Sequence, residues 1–259
     1  MIEDITPLII AYNEAPNIAR TLDRLKWARR IVVIDSGSTD NTIEIARSYA
    51  QVEVVHRNFD DCASQWNFGN DQVNSDWVLS LDADYELSDD LIAELRGLHA
   101  DAGVDGYRAN FVYRIFGRPL RGSLYPPRVV LYRKIKSHYR NEGHTQLVVI
   151  AGNVLPLSGV IFHDDRKPLA RWFASQRRYA QDEAEHLLEP GCRKALGAAD
   201  RIRLAAWPAP FAVFIHTLLI KGCLLDGWAG WYYAFQRLLF ETMLALEIID
   251  RRLRGAVQK

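Results

Sequence analysis

The chain of 259 residues has only three cysteines, Cys62, Cys192 and Cys223, and they are scattered. An odd, widely spaced set gives neither a disulfide framework nor metal-ligand spacing, so core packing in a reducing compartment is expected. Net charge is missing too, since 32 Lys and Arg balance 32 Asp and Glu. Domains that grip nucleic acid are usually basic, so nucleic acid is not an expected partner. The N-terminus, Met1-Ile-Glu-Asp-Ile-Thr-Pro7, is acidic and lacks the basic and apolar regions of a secretory signal, which leads to the expectation of a cytoplasmic start. Neither common phosphate cradle is present: no G-x-x-x-x-G-K-S/T, and no G-x-G-x-x-G after the first strand. A nucleotide bound here would need a metal to neutralise its phosphates. No internal repeat or low-complexity segment interrupts the chain.

What is present is an ordinary globular composition, 49% hydrophobic and 25% charged, enough for a sizeable core. The length suits one large α/β domain or a domain with an appendage. Residues 5–11 form an apolar run, broken only by Thr6 and Pro7, that predicts a buried strand. After the loop Tyr12-Asn-Glu-Ala-Pro-Asn17, Ile18, Leu22, Leu25 and Ala28 recur at helical spacing. Residues 30–35 predict a second strand, ending in the turn Asp35-Ser-Gly-Ser-Thr-Asp40 and a helix with Ile43, Ala46 and Tyr49. A short strand at 52–55 and a helix at 60–73 come next. Strands alternating with helices predict a mostly parallel sheet with helices on both faces, whose ligands sit beyond the carboxyl ends of the strands. Glu14 and Asp35 fall at such ends.

The chemistry centres on Trp77-Val-Leu-Ser-Leu-Asp-Ala-Asp84, a buried strand running into two aspartates. If the chain stays extended, Asp82 and Asp84 point to the same side. Carboxylates this close repel unless a cation or proton sits between them. Mg²⁺ or Mn²⁺ would suit, and such ions usually bring substrate phosphates with them. The alternative is a plain strand-to-helix turn, with Ser88 capping the next helix. Asp35 likewise either accepts hydrogen bonds from a base or ribose, or caps its own turn.

Three segments, Pro7-Leu-Ile-Ile-Ala-Tyr-Asn-Glu14, Val33-Ile-Asp-Ser-Gly-Ser-Thr-Asp40 and Leu79-Ser-Leu-Asp-Ala-Asp84, resemble motifs of family-2 glycosyltransferases, in that family's order and at its spacing. The resemblance covers roughly residues 5–165. It implies a GT-A fold and inverting transfer of a sugar, typically a hexose, from a nucleotide-diphosphate sugar, most simply a UDP-sugar. By position, Ala11, Tyr12, Glu14 and Asp35 match residues around the nucleoside. Asp82 matches the residue near the ribose and metal, and Asp84 the principal metal ligand. Asp60-Asp-Cys-Ala-Ser-Gln-Trp-Asn67 resembles a further nucleotide-side helix, which brings in Gln65 and Asn67, although Trp66 stands where a basic residue is frequent. In this family an acidic residue in the region of Tyr139-Arg-Asn-Glu-Gly-His144 takes the acceptor proton, so Glu142 is the candidate catalytic base. GT-A enzymes often place a late histidine on the metal, here His163. Arg166 and Lys167 could cover the diphosphate, and Asp164 or Asp165 would be the reserve base.

Strands are also expected at 107–116, 128–133 and 155–162, and a helix after Pro168 carries an apolar stripe up to Glu189-Pro-Gly. From Leu204 the composition changes. Residues 204–220 carry no formal charge, but they are too short for the about 20 residues of a spanning helix and are interrupted by Pro208 and Pro210. Trp228, Trp231, Tyr232 and Tyr233 cluster beyond Lys221, and an amphipathic helix at 235–253 ends on Arg251-Arg-Leu-Arg254. Aromatic residues beside basic ones suit the water–lipid boundary; a helical cap over the domain's own core is the other reading. The division is therefore 1–190, a GT-A domain, and 191–259, a helical membrane-interface region. Bacterial lipopolysaccharide-core and exopolysaccharide glycosyltransferases have a similar tail. That resemblance implies a peripheral, monotopic enzyme on the cytoplasmic face of the inner membrane, acting on a glycolipid or polyprenyl-linked acceptor. Two other classes stay open. A nucleotidyltransferase would also want paired aspartates, but also a Gly-rich basic loop where Tyr12-Asn-Glu-Ala-Pro16 is acidic. A catalytically inactive membrane-bound binding subunit would not need its acidic positions, all of which are intact.

Overall fold

The computed structural model describes residues 2–99, 103–122, 125–142, 145–189 and 197–257. The chain forms two compact units, Met1–Gly117 with Leu124–Arg166, and Arg118–Ser123 with Lys167–Lys259. The expected division at 190/191 falls outside the described residues.

In the first unit the strands are β1 (Ile5–Ala11), β2 (Ile31–Asp35), β3 (Val52–His56), β4 (Trp77–Asp82), β5 (Tyr85–Leu87) and β6 (Gly106–Ile115). A two-residue β7 (Arg118–Pro119) belongs to the second unit; β8 (Arg128–Arg133), β9 (Ser137–Glu142), β10 (Thr145–Ile150) and β11 (Val154–His163) return to the first. The main sheet runs β3-β2-β1-β4-β8-β6-β11-β5. Its first four strands are parallel, as the apolar runs predict. Beyond β4 the sheet is mixed, because β8 pairs antiparallel with both β4 and β6, and β5 antiparallel with β11. Strands β9 and β10 form a separate hairpin.

Burial explains the register. Every residue of β2 is buried, and five of the six residues of β4, so the core excludes water on both faces of these strands. One core layer joins Ile9, Leu22, Val33, Leu79 and Leu81; the other joins Leu8, Ile34, Trp66, Tyr132 and Tyr139. The helix α1 (Ile18–Asp23) is shorter than its spacing predicts. Leu25 and Ala28 still reach the core, through consecutive turns in which Leu25 N donates to Leu22 O and Ala28 N to Leu25 O. Helices α2 (Thr42–Arg47), α3 (Cys62–Gln72) and α4 (Asp89–Gly97) complete the layers. Ser88 caps α4 as expected, accepting from Leu91 N at 3.1 Å. Helix α3 lies hard against β1, since a Cβ at Gly69 would stand 2.8 Å from Leu8 Cδ1.

The second unit is helical: α5 (Leu169–Leu188), α6 (Ala198–Leu204), α7 (Pro208–Ile215), a π-turn His216–Ile220, and α8 (Trp228–Val257). Its core is small, with Ala180, Ala184 and Leu187 of α5 against Phe240, Leu244 and Ile248 of α8. A buried charge cluster ties the helices together. Fully buried Glu241 accepts from Arg203 Nη2 at 2.8 Å and from Arg237 Nη2 at 3.1 Å, while Arg203 also reaches Glu183 at 3.2 Å. The sequence places the amphipathic helix at 235–253; the structure starts it a further two turns earlier, so the Trp228–Tyr233 aromatic cluster lies on α8 itself.

Candidate functional site

The parallel strands end in a row. Ala11 of β1 is level with Asp35 of β2, and Ile10 with Asp82 of β4. The loops that follow are stitched together by side chains typical of tight turns. Asn13, at φ 55°, accepts from Thr39 N at 2.6 Å, and its own N–H donates to Ser38 Oγ at 2.8 Å. Glu14 N donates to Thr42 Oγ1 at 2.6 Å, which leaves the Glu14 carboxylate to accept from Asn17 Nδ2 at 2.9 Å. Tyr12 stands half exposed above them.

Asp82 ends β4, and the chain then turns at Ala83 and Asp84 into β5 rather than staying extended. The turn still brings Asp84 to the last residue of β11, where His163 Nε2 lies 3.2 Å from Asp84 Oδ2. His163 is enclosed by the rings of Tyr85, Tyr113 and Tyr125, with centroids 4.7–5.2 Å away. Its Nδ1 is buried with no hydrogen-bond partner among the described residues. Burial and the neighbouring Asp84 charge both raise the Asp82 pKa, opposed by a hydrogen bond from Tyr85 and the charge of Arg128. Burial would lower the His163 pKa, but the Asp84 and Asp82 carboxylates outweigh it and raise the value. The site therefore carries concentrated negative charge that a cation would relieve. Among the described residues no group of three or more His, Cys, Asp or Glu forms a ready-made metal cage. Mg²⁺ rarely uses such cages, binding instead through one or two carboxylates plus substrate phosphates, and the Asp82 and Asp84 carboxylates fit that pattern, with His163 beside them.

The other sequence candidates divide sharply. Asp35 is buried and accepts from Gly37 N at 2.9 Å and Ser38 N at 3.0 Å, so turn capping is the role its contacts display. Gln65 is also buried, donating to Ser36 Oγ at 3.0 Å and accepting from Arg57 Nη1 at 2.6 Å. Asn67 clasps the Tyr139 backbone, accepting from its N at 2.8 Å and donating to its O at 2.9 Å. Trp66 stacks on the Tyr139 ring, centroids 5.3 Å apart, which is what this position does in place of a basic side chain. Arg166 rests on Asp164, with Nη2 at 2.7 Å and Nε at 3.0 Å from Oδ2. Glu142 ends β9, and its side chain lies outside the described residues, as does His144.

The decisive comparison is with families. The family model described as Glycosyl transferase family 2 matches residues 7–155, more than half of the chain. The chain belongs to glycosyl transferase family 2. Among individual proteins, this family-2 chain is 28% identical to an uncharacterised glycosyltransferase of Rickettsia bellii, with 91% of this chain and 84% of the relative aligned. It is 26% identical to the lipopolysaccharide core biosynthesis glycosyltransferase LpsC of Rhizobium meliloti, over 95% and 92% of the two chains. Among solved structures, S. aureus TarS (residues 1–349, in complex with UDP-GlcNAc) superposes with a TM-score of 0.50 at 13% identity, covering 96% of this chain and 91% of that one. That likeness bears on the fold, and it agrees with the GT-A arrangement of a sheet with flanking helices.

Two features of the family-2 site escape sequence reasoning. The first is a hub at Asp164, which is fully buried. Its Oδ2 accepts from Arg166, from Gly117 N at 2.9 Å and from Arg20 Nη1 at 3.3 Å. Arg20 also binds Glu86, the Asp164 carbonyl at 2.8 Å and Asn17 Oδ1 at 2.8 Å, which ties the Glu14 loop to the end of β11. This burial leaves Asp164 no path to an acceptor, so it is a poor reserve base. The second is Arg128 at the start of β8, whose charge acts on Asp82. No spacing signal marks either one, because both depend on pairing between distant strands.

Proposed function

We propose that this family-2 glycosyltransferase moves a sugar, with inversion, from a nucleotide-diphosphate sugar to a lipid-linked or lipopolysaccharide-type acceptor. The observation that carries the reading is the Asp82–Asp84–His163 group at the carboxyl end of a parallel strand, inside the segment that matches the family. UDP-sugars are the first donors to try, on the motif resemblance. The name of LpsC supports a lipopolysaccharide acceptor. Asp82, Asp84 and His163 would hold Mg²⁺ or Mn²⁺, which when bound supplies charge to the leaving diphosphate. The protein's own share is to fix the loops at Glu14 and Asp35 around the nucleoside and to offer Glu142 as base for the acceptor hydroxyl. A panel of nucleotide-sugars with Mn²⁺, followed by thermal shift and slow hydrolysis, tests the reading. One donor is expected to raise the melting temperature and to be hydrolysed. Protection by a nucleoside triphosphate alone, with pyrophosphate release, would instead identify a nucleotidyltransferase.

The second unit bears on location. Along α7 and its π-turn, Trp207, Phe211, Ile215 and Leu219 recur every four residues and are 54–66% exposed. On α8, Trp228, Trp231 and Phe235 form an exposed apolar edge, and Phe214 joins the two faces through ring contacts with Trp231 and Phe235. No described helix is long and apolar enough to cross a membrane. The neutral whole conceals an asymmetry: this unit has sixteen Lys and Arg against nine Asp and Glu, whereas the first has sixteen against 23. An apolar face on a unit of net charge +7 suits the surface of an anionic bilayer. We propose that this face seats the enzyme peripherally on the cytoplasmic leaflet of the inner membrane. The full-length protein is expected to sediment with anionic vesicles and to be released by detergent but not by high salt alone. Apolar insertion survives the screening that weakens charge contacts beyond a Debye length of about 8 Å. Indifference to anionic vesicles would leave the second unit as a core cap.

A further inference from the structure

We infer that Arg128 binds a phosphate oxygen of the bound substrate. The inference rests on the glycosyltransferase reading and adds to it a residue that the motifs do not include. Strands β4 and β8 pair antiparallel, with Trp77 opposite Arg133, Val78 opposite Tyr132 and Leu79 opposite Leu131. Ser80 Oγ continues the pairing, donating to Val130 O at 3.3 Å. Beyond Leu131 strand β8 bulges at Val130 against β6 and leads back to Arg128 at its start, where its charge acts on Asp82 among the candidate metal donors. Its guanidinium sits over the Tyr125 ring, 4.8 Å from the centroid, a support that leaves the N–H edge free.

Arg128 is unusual in its own unit. Arg20, Arg24, Arg30, Arg57, Arg133 and Arg166 all pair with carboxylates. Arg47, Arg96 and Arg108, which do not, are exposed and have water instead. Arg128 is half buried, and no hydrogen bond or ion pair engages its guanidinium among the described residues. Nor are its nitrogens among the sealed, unpartnered polar atoms, so they face reachable space. A half-buried guanidinium with no acceptor among the described residues represents unrealised binding energy, and the planar fork suits two phosphate oxygens at once. The missing acceptor is therefore an anion that arrives with substrate. Phosphate could come from the donor's diphosphate or from a phosphorylated acceptor.

The test compares wild type with Arg128→Gln and Arg128→Lys, using UDP and uridine with Mn²⁺ in calorimetry. With the donor as the source, Arg128→Gln weakens UDP binding tenfold or more, leaves uridine unchanged, and Arg128→Lys recovers part of the loss. With the acceptor as the source, UDP affinity holds and the KM rises only for phosphorylated acceptors. Because Arg128→Gln gives up only the Tyr125 ring contact and the charge beside Asp82, with no hydrogen bond or ion pair among the described residues, the melting temperature of the free variant is expected to change little. A marked fall in that temperature, or unchanged UDP affinity together with unchanged acceptor KM, overturns the inference. Wild-type protein that binds neither UDP nor any nucleotide-sugar overturns the glycosyltransferase reading as well, which distinguishes the two failures.

Discussion

Asp84→Ala is expected to reduce sugar transfer on the order of a thousandfold or more while leaving the fold intact. The loss follows from charge. The leaving diphosphate gains negative charge in the transition state, and a cation that meets it is worth several kcal/mol. The Asp84 side chain is only 10% exposed and lies 3.2 Å from His163, so its carboxylate is aimed into the candidate site rather than at solvent. Survival of the fold follows from a different atom. It is the Asp84 carbonyl that holds β11, accepting from Asp164 N at 3.2 Å, and alanine keeps that carbonyl. Removing the carboxylate also relieves repulsion with Asp82, whose pKa burial and Asp84 both raise. Steady-state transfer at saturating Mn²⁺, with a melting curve on the same sample, checks both halves. Near-normal turnover in folded Asp84→Ala protein would remove the metal from the proposal.

The sequence made some features of this site plain and hid others, for a physical reason. Strands buried on both faces must be apolar throughout, so β1, β2 and β4 and the acids at their ends stand out in one dimension. The Ser88 cap is local chemistry and is equally plain. Partner choice is not local. Gln65 and Asn67 are candidates through the resemblance of residues 60–67 to a nucleotide-side helix, but the fold turns both toward protein, onto Ser36, Arg57 and Tyr139. The insertion of β8 between β4 and β6 is a long-range pairing with no local signature, and the Arg128 at its start acts on Asp82 by its charge. The short α1 shows the limit of periodicity, since turns can bury Leu25 and Ala28 as well as a helix does.

The base provides the other large effect. Glu142→Gln is expected to keep nucleotide-sugar affinity and to lose transfer by about 10²–10⁴-fold, the usual range for a missing general base. On the proposed assignment donor binding does not need this carboxylate, whereas deprotonating the acceptor hydroxyl does. The backbone argument for Glu142 is its anchorage. The preceding Asn141 donates to Asp61 at 2.8 Å and accepts from Ala63 N at 3.0 Å, which fixes the end of β9 to the start of α3. Hydrogen bonds from the Ser64 hydroxyl and N–H, and then from Asn141, lower the Asp61 pKa to about 2, so the anchor stays charged at working pH. The same helix sends Gln65 to Ser36 beyond the end of β2, so the hairpin root is tied to the loop proposed to hold the nucleoside. Asp164 offers the contrast. It is fully buried against Arg20 and Arg166, and Asp164→Asn is expected to act by loosening that hub, lowering the melting temperature along with the rate. A pH–rate profile separates the two roles, because losing a base flattens the acidic limb while loosening a hub scales the whole curve. If Asp164→Asn or Asp165→Asn is inactive but fully folded while Glu142→Gln still transfers sugar, the base belongs to the segment after His163 and the assignment to Glu142 fails.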